Sequence, residues 1–347
     1  MELEILQKLV TNIGNRKLVM RWKNKSVEEY LLKKFGLRAS FYVTRDSSRV
    51  DNKSTFPESI LKNNSKEYYL LLPDTKYVEK DEKYYAKWGY KNIDDVMWLI
   101  PKTQKISLSD DNYQGRWSDL YGNKIESKSD AYIELQGINS SINIGKNVKM
   151  PKSFLQIGNN VEVIIQDNVD LSSSTISIIG GGKCFIDSYV VLGGMRVFIN
   201  TNSKLIIGEH CTFGSGRIRT GRNQLVKIGK DCLFSWDIVL LAHDGHMIYD
   251  VESGKCTNNT KGKRRESIII EDHVWVGGEV AILPNTHIGM GSICAYRSLI
   301  KGNIPNNCIV AGSIGKVVRK NIAWSRNNIS NDETDYYKID KKYRGYT

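Results

Sequence analysis

Between Ile270 and Ile300 an aliphatic or thiol side chain returns at every sixth position of the chain. The returning residues are Ile270, Val276, Ile282, Ile288, Cys294 and Ile300. The residues two positions before a return are small or β-branched, namely Val274, Val280, Thr286, Ser292 and Ser298. An α-helix repeats near 3.6 residues and a strand alternates at 2, so neither explains a period of six. The period predicts a parallel β-solenoid, in which each face of a three-sided coil takes about six residues and points one side chain inward.

Less regular versions of this six-residue repeat precede the segment from Ile270 to Ile300. Ile-Gly pairs followed by polar turns occur in INIGKNV (142–148), LQIGNNV (155–161), LIIGEHC (205–211) and VKIGKDC (226–232). They predict a β-helix domain over residues 131–321 with imperfect first coils, followed by a polar C-terminal tail at 322–347. One excursion, residues 243–267, lacks the register and contains the basic run KGKRR (261–265). Excursions from a rigid scaffold are where binding and catalytic groups concentrate.

Residues 1–112 have a different pattern, in which predicted strands alternate with predicted helices. The strands are expected at 17–22, 38–44, 67–73 and 95–100, and the helices at 27–36, 57–64 and 78–89. This alternation predicts a small α/β, Rossmann-like domain with a parallel sheet. The turn after the first strand, RWKNKS, has no glycine, so the dinucleotide-binding fingerprint is absent. The domain is expected either to bind the acceptor or to act only as a packing module, and residues 113–130 are expected to be a linker.

The composition is that of a globular protein with a strong basic bias. The chain has 347 residues, with 50 Lys and Arg against 38 Asp and Glu, for a formal net charge of +12. A basic surface implies an anionic partner, and a phosphate-bearing cofactor, an acidic glycan, an anionic membrane surface or nucleic acid would each fit. No recognised nucleic-acid-binding motif is present, so nucleic acid is not expected as a partner.

The N-terminal sequence and the cysteines predict the compartment. No stretch approaches the roughly 18–20 apolar residues that a membrane span requires. Residues 1–17 lack the basic and then apolar pattern of a secretory signal. The six cysteines show no paired spacing, which predicts reduced thiols. A cytoplasmic protein without a membrane span is therefore expected, with at most a peripheral association with membranes.

Three segments of the C-terminal half form an ordered series of motifs. They are HDGHMIYD (243–250), IIIEDHVWVGGEVAILPNTHIGMGS (268–292) and IVAGSIGKVVRKNIAW (309–324). In this order they resemble the left-handed β-helix, or hexapeptide-repeat, acyltransferases, and most closely the branch that O-acetylates cell-surface sugars and polysaccharides. The likeness covers about residues 131–324. It implies a left-handed parallel β-helix, a homotrimer, and acetyl-CoA lying in a groove between neighbouring β-helices.

The resemblance also implies roles for individual residues. His246 corresponds to the family histidine that acts as general base on the acceptor, and His243 is a second candidate. The implied contacts with coenzyme A are a groove wall, backbone positions and cations, namely Trp275, Gly277, Gly278, Ala295, Arg297, Lys316, Arg319 and Lys320. Asp244 or Asp250 would orient the base, although short carboxylates in turns more often only form the turn. The family's Ala-Gly-x-Pro-Ala-Lys signature lacks its proline here, where residues 311–316 are AGSIGK.

Acetyl transfer to a hydroxyl requires a base, stabilisation of the oxyanion and a donor held in line. Histidine suits the first role because it titrates near neutrality. The predicted function is therefore acetyl-CoA-dependent O-acetylation of a sugar hydroxyl on capsule, lipopolysaccharide or another surface glycan, or on its precursor. N-acetylation of a nucleotide-linked amino sugar is an alternative, as is an inactive binding module. A zinc β-helix hydratase would need three imidazoles, of which only His243 and His246 are grouped, so no metal is expected.

Overall fold

The fold is that of a computed structural model, which describes residues 16–21, 32, 38–44, 55–57, 61, 68–72, 96–98, 104–108, 116–118, 123–258, 265–327 and 335–344. The chain forms two compact units. The first comprises Met1–Gln104, Ser118–Lys124 and Gln136–Ser140, and the second comprises Lys105–Trp117, Ile125–Leu135 and Ser141–Thr347.

In the first unit the described residues form a five-stranded parallel sheet with strand order β3-β2-β1-β4-β5. Its strands are β1 (Lys17–Arg21), β2 (Phe41–Thr44), β3 (Thr55–Pro57), β4 (Tyr68–Leu72) and β5 (Val96–Trp98). The four strands predicted in this region are confirmed, and β3 is a fifth that was not predicted. Val19 and Met20 of the central strand are fully buried, as a parallel sheet requires. The predicted helices lie largely outside the described residues, so the Rossmann-like assignment stays a prediction.

The second unit is a parallel β-solenoid whose coils run through faces A, B and C in turn. Face A contains β8 (Lys124–Lys128), β10 (Ser141–Lys146), β12 (Glu162–Ile165), β14 (Lys183–Ile186), β17 (Lys204–Ile207), β20 (Gln224–Ile228), β23 (Arg265–Ile270) and the second halves of β25 (Ala281–Ile288) and β27 (Leu299–Ile304). Face B contains β15 (Val191–Leu192), β18 (Thr212–Phe213), β21 (Leu233–Phe234), β24 (Trp275–Val276), β26 (Ile293–Cys294), β28 (Ile309–Ala311) and the antiparallel β29 (Lys316–Arg319). Face C contains β9 (Ala131–Leu135), β11 (Phe154–Ile157), β13 (Thr175–Ile178), β16 (Met195–Ile199), β19 (Gly216–Arg219), β22 (Ile238–Leu241) and the first halves of β25 and β27.

A few short elements complete the second unit. Strands β6 (Gln104–Leu108) and β7 (Arg116–Ser118) belong to the same sheet as faces A and C. Near the C-terminus lie a single helical turn, α1 (Asp335–Lys338), and a 3-10 turn (Lys341–Tyr343). Among the described residues, no helix has the length and apolar character needed to cross a bilayer.

The inward-pointing side chains of the three faces form one apolar core. Burial alternates residue by residue along strands such as β17, because successive side chains of a strand point to opposite sides. All six residues of the hexad series from Ile270 to Ile300 are at most 1% exposed. The five small residues that precede them, from Val274 to Ser298, are at most 2% exposed. The solenoid register predicted from the sequence is therefore confirmed.

Most coils are longer than the hexad pattern predicts. Lys183 pairs with Lys204, one coil and 21 residues further along, whereas Trp275 pairs with Ile293 after a step of 18. The extra residues lie on face C, where β19 has four residues but β25 pairs through only two. The prediction that the first coils are imperfect is confirmed only for the first of them, because Leu155 pairs with Ile133 after a step of 22, whereas the step between β10 and β12 is already 21.

The segment predicted as a linker, residues 113–130, contains a strand of the solenoid instead. Strand β8 pairs with β10 on face A, and Ile125 within it is fully buried. Burial alternates along the strand, so Ile125 and Ser127 point inward while Glu126 and its charged neighbours point outward. The linker prediction failed because the outward residues give the segment a polar composition.

The C-terminal segment, predicted as a tail at 322–347, packs against the corner between faces A and B. Trp324 and Tyr343 are 6% and 5% exposed, and both rings stack on His273 at centroid distances of 4.1 and 4.4 Å. The ring nitrogens of His273 lie 2.6 Å from the Asp231 carboxylate and 2.9 Å from the Trp324 carbonyl. His273 is not one of the inward residues of the hexad series, but this segment covers it and leaves it buried.

Arg326 fastens the same segment to the solenoid. Its guanidinium donates to Asp231 Oδ1 at 2.5 Å and to the His210 and Cys232 carbonyls at 2.7 Å each. We expect Arg326→Ala to lower the free energy of unfolding by about 1.5–3 kcal/mol, because it removes charge-assisted hydrogen bonds from partly buried partners. Urea unfolding measures the loss.

The control for this prediction is Arg116→Ala. Arg116 also pairs with a carboxylate, Glu126 at 3.7 Å, but both side chains are mostly exposed. Such a surface pair is worth at most about 1 kcal/mol, so little change is expected. Equal losses in the two variants would contradict the fastening role of Arg326.

All six cysteines lie among the described residues and are free thiols. Five of them are buried, and Cys256 in the excursion is half-buried. Burial raises the pKa of Cys184 and of Cys294 to about 12, so both remain protonated and behave as small core residues. The prediction of unpaired thiols is confirmed.

Candidate functional site

A cleft of about 470 Å³ opens at the corner between faces C and A, where the excursion leaves the solenoid after β22. His243 and His246, the first histidines of the excursion, both line this cleft. The corners of neighbouring coils complete its wall with Asn200, Gly221, Arg222, Pro284 and Asn285. The structure therefore brings the two predicted histidines together in one site.

The two histidines differ in exposure and in hydrogen bonding. His246 is exposed, and its ring makes no hydrogen bond with any residue that the structure describes. His243 is half-buried, and its Nδ1 accepts a hydrogen bond from the Gly245 N–H at 2.9 Å. Partial burial, together with the charge of Arg219, lowers the pKa of His243 below its ordinary value, although Asp244 opposes this effect. A neutral ring is what this bond needs, because Nδ1 can accept only while unprotonated.

Asn258 fixes the backbone that presents His246, and nothing in the sequence analysis singled it out. Its Nδ2 donates to the His246 carbonyl at 2.8 Å and to Asp244 Oδ2 at 3.0 Å. Its Oδ1 accepts from the Ile248 N–H at 2.9 Å. A bridge between Tyr249 and Cys256 closes the excursion into a hairpin, which returns Asn258 to the level of the histidine. The sequence carries no local signal for this contact, because the partners are twelve residues apart in a loop.

The two carboxylates considered as orienting groups have local roles. Asp250 Oδ1 accepts from the hydroxyl and the backbone N–H of Ser253 at 2.6 and 2.8 Å, and these bonds hold the pKa of Asp250 below its ordinary value. Asp244 is occupied by Asn258. Among the described residues neither carboxylate bonds to a histidine ring, so both behave as turn-forming groups.

The residues implied as contacts of coenzyme A lie on face B and at the corner between faces B and C. Trp275 in β24 is 37% exposed, so its ring is available as a wall. Gly278 lies beneath Trp236, where a Cβ would approach the indole ring to 2.8 Å, and a side chain there would collide. Gly277 and Ala295 follow face B in successive coils, and their N–H groups donate to carbonyls of the next coil at 2.8 and 2.9 Å. The structure therefore groups these residues into one strip.

The four cationic residues of the same set differ in their partners. Arg297 Nε donates to Glu279 Oε2 at 2.8 Å, so this guanidinium already has a counter-ion. Lys316 and Arg319 on β29, and Lys320 directly after it, are exposed. None of these three forms an ion pair within the part of the chain that the structure describes. The edge of face B thus presents three unpaired cations.

The histidine cleft and the coenzyme A residues belong to different parts of the coil. The cleft lies at the corner between faces C and A, whereas Trp275 lies on face B. None of the described residues that line the cleft is one of the residues implied as contacts of coenzyme A. One copy of the chain therefore does not assemble the complete site that the resemblance implies. The run 261–264 and the Arg265 side chain lie outside the described residues.

Known proteins similar to this chain include named O-acetyltransferases. No protein-family model matches the chain. The polysialic acid O-acetyltransferase of Escherichia coli O1:K1 / APEC is 31% identical over 110 residues, which cover 32% of this chain and 33% of that protein. The chain thus matches about a third of the length of this curated relative.

Two solved structures are similar over nearly their whole length. The polysialic acid O-acetyltransferase OatWY is 29% identical, with a TM-score of 0.57, over 61% of this chain and 99% of that one. The polySia specific acetyltransferase NeuO is 30% identical, with a TM-score of 0.52, over 60% of this chain and 94% of that one. These likenesses confirm the resemblance found in the sequence. The chain belongs to the left-handed β-helix, or hexapeptide-repeat, acyltransferases, in their sugar and polysaccharide O-acetyltransferase branch.

Proposed function

We propose that this protein transfers an acetyl group from acetyl-CoA to a hydroxyl of a bacterial surface polysaccharide, such as capsule or lipopolysaccharide, or of its precursor. The observation that carries the proposal is the position of His246, in a cleft where an excursion leaves a hexapeptide-repeat solenoid. Relatives named as polysialic acid O-acetyltransferases support a hydroxyl of a surface polymer as the acceptor.

In the proposed reaction His246 removes the proton of the acceptor hydroxyl while its oxygen attacks the thioester carbonyl carbon. The C–S bond then breaks, the coenzyme leaves as a thiol that takes up a proton, and the sugar carries an acetyl ester. A general base in this role contributes roughly a hundred- to ten-thousand-fold in rate. His243 and Asn258 act as positioning residues for the His246 side chain. His243 fixes the turn before His246 by accepting from the Gly245 N–H, and Asn258 fixes the His246 carbonyl.

We propose that the complete site forms between two copies of the chain in a homotrimer. The cleft of one copy would face the strip on face B of its neighbour, so that Trp275 and the Gly277–Gly278 backbone wall the pantetheine arm. Lys316, Arg319 and Lys320 would then receive the phosphates, because unpaired cations favour anionic groups. The separation of the two residue sets within one chain supports this assembly.

The finer features of the fold and the location follow from the same proposal. We infer the left-handed sense of the solenoid from the family. The parallel sheet of the first unit supports a Rossmann-like domain there. That domain would bind the acceptor or serve as a packing module. Because the donor is acetyl-CoA, we place the reaction in the cytoplasm.

Acetyl transfer from labelled acetyl-CoA tests the proposal. We expect label on polysialic acid or lipopolysaccharide in an ester that mild base removes. Base-resistant label on a nucleotide-linked amino sugar would indicate N-acetylation instead, and failure to bind coenzyme A would indicate an inactive binding module. Stoichiometric zinc in the purified protein would revive the hydratase, although the described residues contain no group of three metal-ligating side chains.

Neutralising the cations at the edge of face B is expected to weaken binding of the donor. The triple variant Lys316→Gln, Arg319→Gln, Lys320→Gln should raise the KM for acetyl-CoA about tenfold or more, because three charge-assisted contacts with phosphates are lost. The salt dependence of that KM should become weaker, since fewer charges remain to be screened. An unchanged KM would remove these residues from the site.

A further inference from the structure

Three arginines stand side by side on the outer surface of face C. Arg196 of β16 and Arg217 of β19 are paired residues of neighbouring parallel strands, so their backbones lie about 4.8 Å apart. Arg219 is two residues further along β19 and points to the same side, about 6.6 Å from Arg217. All three side chains are exposed. Together these residues define an arginine patch.

The patch has no counter-ion of its own in the described part of the chain. None of the three guanidiniums forms an ion pair there, and like charges placed directly opposite each other in a sheet are destabilising. The positions that pair with Arg196 on the preceding strand and Arg217 on the following strand are Thr175 and Val239, neither of which is acidic. An external anion would remove this repulsion.

The patch forms a shallow depression of about 420 Å³ with hydroxyl and aromatic groups beside the arginines. Thr175 and Ser177 lie on one side of it. The Arg219 guanidinium lies 5.8 Å from the centroid of the Phe198 ring. Guanidinium forks bind carboxylates in two parallel hydrogen bonds, while hydroxyls and an aromatic face suit the polar and apolar sides of a sugar ring.

The patch leads directly into the histidine cleft. Arg219 ends β19, and the chain continues through Gly221 and Arg222, which line the cleft together with His243. The Ala242 N–H donates to the Arg219 carbonyl at 2.9 Å, which ties the end of the patch to the start of the excursion. Arg222 is also exposed and extends the basic surface to the site itself.

We propose that the arginine patch binds the carboxylates of an acidic polysaccharide and guides that polymer into the histidine cleft. This inference rests on the proposed function and specifies its acceptor as a carboxylate-bearing glycan rather than a neutral one. A polymer fits better than a small anion, because the three guanidiniums are spread across two strands in line with the cleft. The patch thus determines which acceptor reaches His246.

Binding measured without acetyl-CoA tests the patch separately from catalysis. The probes are a polysialic acid fragment and the same fragment with its carboxylates converted to neutral amides. We expect Arg196→Gln with Arg217→Gln to weaken binding of the acidic fragment at least tenfold by calorimetry, and to weaken the salt dependence of that binding. The amidated fragment should bind weakly to the wild type and the variant alike.

The matched control removes two charges at the same level of the coil but on face A. Lys204→Gln with Lys227→Gln lowers the net charge equally and should leave the Kd within about twofold, since screened charges on another face contribute little. Arg196→Lys with Arg217→Lys keeps the charge but loses the guanidinium forks, and should give an intermediate Kd. The thermal midpoint of each variant verifies folding.

Three outcomes overturn the patch: an unchanged Kd in the arginine variant, equal loss in the lysine control, or a changed oligomeric state that marks face C as a contact between copies. Failure of the proposed function would give a result distinct from these three outcomes. The acidic fragment would then bind and depend on the arginines, but no acetyl group would be transferred to it.

Discussion

Replacing His246 by alanine is expected to lower kcat by roughly a hundred- to ten-thousand-fold, which is the usual contribution of a general base. The ring is exposed and makes no hydrogen bond with the described residues, so its removal should leave the thermal midpoint nearly unchanged. Binding of acetyl-CoA should also persist, because the residues proposed to hold it lie on face B. Steady-state kinetics, calorimetry with coenzyme A and thermal unfolding measure the three quantities.

His243 provides the control for this prediction. Its Nδ1 accepts from the Gly245 N–H, and partial burial lowers the pKa of its ring below the ordinary value, which favours the neutral form that this bond requires. His243→Asn retains an acceptor at about the same distance from the backbone and should recover most of the activity that His243→Ala loses. Wild-type turnover in His246→Ala, with loss in both His243 variants, would move the base to His243.

The fold was predictable from the sequence in the part of the chain where apolar or small residues occupy every inward position. Every sixth side chain between Ile270 and Ile300 is buried, and only apolar or small groups fit there. The 21-residue coils were harder to predict, because their extra residues lie on face C and need not be apolar. The contacts of Trp324 and Arg326 with the solenoid gave no periodic signal, since their partners His273 and Asp231 lie 51 and 95 residues away in the sequence.

The candidate site was predictable only in part, because contacts inside a folded loop leave no periodic signal in the sequence. The motif around His246 marks the excursion, and the structure places that residue in a cleft. The positioning role of Asn258 arises from a hairpin whose closure the sequence does not specify. The arginine patch did carry a signal: Arg196 and Arg217 are separated by 21 residues, which is one coil. Knowledge of the coil length would have aligned them on one face.

Mixing two inactive variants tests whether the site is shared between subunits. His246→Ala lacks the base, and Trp275→Glu places a carboxylate where the coenzyme arm would lie, so each alone should be nearly inactive. In oligomers that contain both chains at random, a site needs an intact His246 from one subunit and an intact Trp275 from its neighbour. Each condition is met half the time, so about one quarter of the wild-type activity should return.

The control mixes His246→Ala with the double variant that carries both changes, in which no site has an intact histidine and no activity should return. Co-expressed chains with different affinity tags allow mixed oligomers to be purified before the assay. Purification removes the two parental homotrimers, and each mixed trimer then contains one intact pairing among its three sites. Recovery of about a third of the wild-type turnover in the purified mixed trimers, or about a quarter in the unsorted mixture, is therefore the result that a site built from His246 and a neighbour's Trp275 predicts. A mixed oligomer no more active than its inactive parents would contradict that site.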